Sequence, residues 1–82
     1  MDNNKIIKTI EREITMAKEI KGNEDVDVYF TIDNVLHNIG GKRNIFSNLR
    51  SGFYSVWCIN DVAFYMEFTH DYGFNYVFIN EE

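Results

Sequence analysis

The sequence predicts an α+β domain: an N-terminal amphipathic helix packed on a three- to five-stranded antiparallel sheet that ends in a C-terminal meander. Three observations carry that prediction. Isoleucines recur at helical spacing near the N-terminus, apolar residues alternate with a period of two after Gly52, and Asn60-Asp61 divides that second stretch into two matched runs. With 82 residues and 9.7 kDa, the chain builds one hydrophobic core, so a single domain over residues 1–82 is expected. Its composition, 45% hydrophobic and 26% charged, is that of a folded chain.

The spacing predicts the first helix over residues 4–21, with Asn3 or Asn4 as its cap. Ile6, Ile7, Ile10, Ile14 and Ala17 form one stripe, and Lys5, Lys8, Arg12, Thr15 and Glu19 lie opposite. Gly22-Asn23 stops the helix, because glycine enters the left-handed conformation at little cost. The stripe is too short for a coiled coil and is assigned to core packing. Next, DVDVYFTID (25–33) alternates Val26, Val28, Phe30 and Ile32 against Asp25, Asp27, Tyr29, Thr31 and Asp33, which predicts an edge strand. Residues 34–50 have two readings. Asp33 caps a short helix through Val35, Leu36 and Ile39, or NVLHNI and NIFSNL are strands around a GGKR turn. Gly40-Gly41 marks a turn in both.

From Gly52 onward, FYSVWCI and VAFYMEFT read as a hairpin closed by Asn60-Asp61, residues that tolerate the positive φ of a tight turn. A turn at His70-Asp71-Tyr72-Gly73 leads into FNYVFI. A two-residue loop sets Ile59 opposite Val62, Trp57 opposite Phe64, Ser55 opposite Met66 and Phe53 opposite Phe68. Phe53, Trp57, Ile59, Val62, Phe64, Met66 and Phe68 then form the core face under the isoleucine stripe. Tyr54, Val56 and Cys58, beside Ala63, Tyr65 and Glu67, form the other face. The last strand adds either Phe74, Tyr76 and Phe78 or Asn75, Val77 and Ile79 to it. One helix cannot cover both faces, so the tyrosine side is expected to be open, as interaction surfaces are. Tyrosines on an open sheet face also stabilise cross-strand pairs without binding anything.

The formal net charge of −5 is divided unevenly. All eight Lys and Arg lie in residues 1–50, balanced there by acids, and residues 51–82 hold Asp61, Glu67, Asp71, Glu81 and Glu82 with no cation. The C-terminal stretch also holds most of the aromatic rings. Such a half cannot neutralise phosphates, so direct nucleic-acid binding is not expected, whereas a protein with a basic surface is a suitable partner. No apolar run reaches the roughly 20 residues of a membrane-spanning helix, and MDNNKIIKTIERE lacks a signal-peptide core. A cytoplasmic protein is expected, its lone Cys58 without an internal disulfide partner.

Chemistry-bearing residues are sparse. Cys58, His70 and Asp61 are the only ingredients for nucleophilic catalysis, and Cys58 sits mid-strand without a surrounding motif. His37 and His70 share no zinc-ligand spacing with each other or with Cys58. Glu24, Asp25, Asp27 and Asp33 lack the glycine and terminal glutamate of a calcium loop. Gly40-Gly41-Lys42-Arg43 lacks the spacing and ending of a phosphate loop. No cofactor, metal or catalytic residue is assigned, and an enzyme is not expected. Abundant Asn, Ile and Lys with no proline is the bias of an AT-rich genome, which suits products of bacteria, phages and mobile elements. Within that class the expected role is stoichiometric: an inhibitor, of the anti-CRISPR and counter-defence kind, that occupies a basic nucleic-acid-binding surface. An immunity protein or antitoxin masking a basic nuclease and a self-assembling accessory protein are the alternatives. The expected contact surface is Tyr54, Tyr65 and Glu67, with Asp61 and Asp71 at its rim. Homodimerisation through the same face is the competing outcome.

Overall fold

The computed structural model describes residues 2–79; Glu81 and Glu82, two of the five C-terminal carboxylates, lie outside the described residues. Two helices, α1 (Asn3–Glu19) and α2 (Asp25–Asn38), precede four strands, β1 (Lys42–Leu49), β2 (Gly52–Ile59), β3 (Val62–Thr69) and β4 (Gly73–Ile79). The strands form one antiparallel sheet in the order β1-β2-β3-β4. This is the expected α+β architecture with its C-terminal meander. No helix among the described residues is long and apolar enough to cross a membrane.

Helix α1 follows its isoleucine stripe: Ile6, Ile10, Ile14 and Ala17 are buried. Its cap is Asp2 rather than Asn3 or Asn4, and the Asp2 carboxylate accepts the Lys5 backbone N–H at 2.9 Å. The helix ends two residues earlier than the spacing predicts. The Asn23 side-chain amide donates to the Ala17 carbonyl at 2.9 Å, and Gly22 turns the chain at φ +90°.

The expected edge strand at 25–33 is instead the first part of α2. Its period-two alternation coincides with a helical stripe, since Val28, Tyr29, Ile32 and Leu36 are all buried on one side. Local chemistry also favours the helix. The Glu24 backbone N–H donates to the Asp27 carboxylate at 2.8 Å, closing the first turn, and Asp25 and Asp27 supply negative charge at the helix N-terminus. Tyr29, placed by the strand reading with the solvent-facing residues, is completely buried. Gly40, at φ +91°, terminates the helix. Gly41 then runs so close to the core that an added Cβ would lie 2.8 Å from the Leu36 carbonyl and 3.1 Å from the Trp57 ring. The segment NIFSNL is therefore a strand, within β1, while NVLHNI belongs to the helix.

The hairpin register agrees with the sequence at all four predicted pairs, Ile59–Val62, Trp57–Phe64, Ser55–Met66 and Phe53–Phe68. Asn60 takes the positive φ, at +53°. The last strand pairs Phe64 with Phe78, Met66 with Tyr76 and Phe68 with Phe74. That register puts Phe74, Tyr76 and Phe78 on the helix side and Asn75, Val77 and Ile79 on the open side. Both helices lie on one face, burying Trp57, Ile59, Val62, Phe64 and Met66 in a single core cluster. At its centre a buried polar chain links the layers: the Tyr29 hydroxyl and the Trp57 indole N–H both donate to Ser55 Oγ, at 2.9 and 3.1 Å.

Candidate protein-binding face

The second sheet face has no helix over it, because α1 and α2 both occupy the first. The strand pairing brings Tyr54 and Val56 of β2, Tyr65 and Glu67 of β3, and Val77 and Ile79 of β4 onto this face, with Ile45 of β1 beside Val56. Tyr54 and Tyr65 are diagonal neighbours whose rings stack at 5.5 Å with 28° between their planes. The Tyr65 hydroxyl donates to Glu67 Oε1 at 2.7 Å. Burial, with the Glu67 bond and charge, pushes the Tyr65 phenol up to about 12. The pair of rings is thus held rigid from below by the sheet and from the side by Glu67. Around this half-buried centre the aliphatic residues stand clear of the surface: Ile45 is 46% exposed, Val77 53% and Ile79 42%.

The face is close to neutral rather than acidic. Glu67 is its carboxylate, already engaged by Tyr65, and the β1 register adds Lys42 beside Cys58. Asp61, in the β2–β3 turn, and Asp71, in the β3–β4 turn, stand at opposite ends of β3. The Ser51 hydroxyl donates to Asp71 at 3.4 Å. The structure therefore brings Tyr54, Tyr65 and Glu67 together and sets Asp61 and Asp71 at the two ends of the same sheet.

Cys58 is half-buried on the open face, where it accepts the Asn44 side-chain amide at 3.2 Å. His70 packs its ring edge against Phe68 at 5.4 Å, at the other end of β3, so the two do not meet. No group of three or more metal-ligating side chains occurs among the described residues.

Two features of the helix side escaped the sequence reading because residues 25–33 were expected to be extended. On a helix, Asp33 and His37 are one turn apart, and with Asn34, Gly41, Arg43 and Trp57 they line a cleft of about 220 Å³. Arg43 lies 3.7 Å from Asp33 Oδ1, an atom that accepts no hydrogen bond. Such a cleft has room for water or a small polar group. Next to it, exposed Phe30 and Phe46 flank Phe53, and the Arg43 guanidinium sits over the Phe46 ring at 5.0 Å. The signal for both was the i, i+4 spacing of Asp33 and His37 and of Val28, Ile32 and Leu36.

No family model matches the chain, and neither a curated protein nor a solved structure matches it.

Proposed function

We propose that this protein is a non-enzymatic binding module whose helix-free sheet face docks on a partner protein. The observation that carries the proposal is the stacked Tyr54–Tyr65 pair, locked by Glu67 and ringed by exposed Ile45, Val77 and Ile79, on a face left bare by both helices. Rigid aromatic rings bordered by aliphatic side chains bury contact area with little loss of conformational freedom, which is the composition of interface centres. The finer reading is a stoichiometric inhibitor. Its support is the net charge of −5 and the absence of any Lys or Arg from residues 51–82, which favour a partner with a basic, phosphate-binding surface.

The test immobilises the chain, captures partners from the source cell and repeats the capture with Tyr65→Ala. A bound protein should be released by competing duplex DNA or RNA and should be retained poorly by the variant. A partner that stays bound under excess nucleic acid would refute the inhibitor reading. Equal capture by the Tyr65→Ala protein would remove the open face from the interface.

A further inference from the structure

The open face carries one carboxylate near its centre, and that charge has no counter-ion. Glu67 is half-buried on β3, directly opposite Tyr54 of β2 and Asn75 of β4. Its Oε1 accepts the Tyr65 hydroxyl. Among the described residues nothing donates to Oε2, and the one ion pair, Arg43 with Asp33, lies on the helix side. The Asn75 amide is oriented by a bond of its own. Its Nδ2 donates to the Tyr72 carbonyl at 3.3 Å, which leaves Oδ1 as a second acceptor beside Glu67. Exposed Ile45, Val77 and Ile79 surround this centre and would exclude water from it once the face is covered. A carboxylate shut away from water without a positive partner is strongly unfavourable, so a surface that docks here must bring the cation itself.

We infer that the open face receives an arginine side chain of a partner protein, its guanidinium bonded to Glu67 Oε2 and Asn75 Oδ1 and laid against the Tyr54 ring. The inference rests on the reading of this face as a protein-binding surface and names the group that the face selects. A lysine fits less well. Its ammonium is a compact, strongly hydrated charge, whereas the guanidinium is planar, stacks on a ring and spreads its N–H donors over two acceptors. A second copy of this chain also fits less well. Its own open face brings another Glu67, and the cation there is Lys42, which stands beside Cys58 and level with Ala63, four residues along β3 from Glu67. Nucleic acid is turned away by the same carboxylate.

Two capped peptides of equal charge, acetyl-Gly-Arg-Gly-amide and acetyl-Gly-Lys-Gly-amide, separate a specific site from general attraction to an acidic protein. Each is titrated into the isotopically labelled chain at constant ionic strength and followed by nuclear magnetic resonance. The arginine peptide should shift the amides of Tyr54, Glu67 and Asn75 saturably and bind roughly three-fold or more tightly than the lysine peptide. Glu67→Gln, which keeps an acceptor for the Tyr65 hydroxyl, should weaken arginine binding roughly five-fold or more. Glu11→Gln, the same change of charge at an exposed position of α1, should leave it unchanged. Equal binding of the two peptides, or binding that ignores Glu67→Gln, would overturn the inference. So would a chain whose mass doubles with concentration and whose association is lost in Tyr65→Ala, because a second copy would then cover the face. Capture of the cellular partner separates this inference from the reading beneath it. Capture lost with Tyr65→Ala yet unaffected by Glu67→Gln would overturn the arginine and keep the face. Capture unaffected by either variant would remove the face, and the inference with it.

Discussion

Two tyrosines show how position decides what a hydroxyl does. The Tyr65 hydroxyl lies in the half-buried centre of the open face and donates to a carboxylate. Burial, and after it the Glu67 bond and charge, hold its proton more tightly than in the unfolded chain, pushing its pKa up to about 12 against the ordinary 10.0. The linkage has a definite sign. Folding keeps this contribution below pH 10.0 and loses it progressively as the pH rises towards about 12, because the unfolded phenol ionises first. Tyr65→Phe should remove one late-ionising phenol from an absorbance titration at alkaline pH while costing only about 1 kcal/mol or less at neutrality. An unchanged high-pH limb would mean that Tyr65 is not a late-ionising phenol. Tyr29 is different: it is wholly buried, burial raises its pKa, and its hydroxyl shares Ser55 Oγ with the Trp57 indole. Ser55→Ala would leave two buried donors without that acceptor. Each stranded donor costs about 1–3 kcal/mol, so urea denaturation should show a larger loss for Ser55→Ala than for Tyr29→Phe. The reverse order would mean that the two donors find other acceptors.

At the scale of elements, the strands were more legible than the second helix, for a physical reason. A hairpin with a two-residue loop has its register set by the turn, so Asn60-Asp61 determined every pair from Ile59–Val62 to Phe53–Phe68. The isoleucine stripe of α1 satisfied only one periodicity. Residues 25–33 satisfied two, because Val26, Val28, Phe30 and Ile32 alternate while Val28, Ile32 and Leu36 also recur every fourth residue. Packing decided between them. A helix buries Tyr29 beside Val28 and leaves Phe30 exposed, which a strand cannot do with those neighbours. β1, where NIFSNL was one of two readings, was ambiguous for the opposite reason, since its bulge breaks alternation at Asn44. The candidate face was accordingly half visible: Tyr54, Tyr65 and Glu67 followed from the hairpin, whereas Ile45 and the side chosen by Val77 needed the neighbouring strands. The α2–β1 junction depends on Gly41, which passes over Trp57 with no room for a methyl group. Gly41→Ala should therefore destabilise by about 1–3 kcal/mol, measured by thermal unfolding, without altering strand content. A neutral substitution would show that the junction can shift away from Trp57.

For the molecule as a whole, the division of charge and apolar surface predicts how binding should respond to mutation. The open face of the sheet has a nearly neutral centre and carboxylates at its ends, so, if it docks on a partner as proposed, encounter and residence should depend on different residues. Asp61 and Asp71 lie in turns at opposite ends of β3, away from the stacked tyrosines. Reversing both, Asp61→Lys with Asp71→Lys, removes most of the net charge of −5 and all carboxylates from those turns. Against a basic partner, the association rate should fall roughly ten-fold at low ionic strength, and the deficit should shrink as salt screens the remaining field. Dissociation should barely change, because exposed rim carboxylates mainly set the rate of encounter. Tyr65→Ala should do the converse. It removes a ring from the stacked pair and frees Glu67, so dissociation should quicken by an amount corresponding to about 1–2 kcal/mol, with little effect on the association rate. Surface plasmon resonance on both variants, at two salt concentrations and after circular dichroism has confirmed folding, separates the two effects. If the charge reversal speeds dissociation while Tyr65→Ala leaves it unchanged, the turns are the contact surface. The bare face is then only the outer side of a sheet that needs no partner.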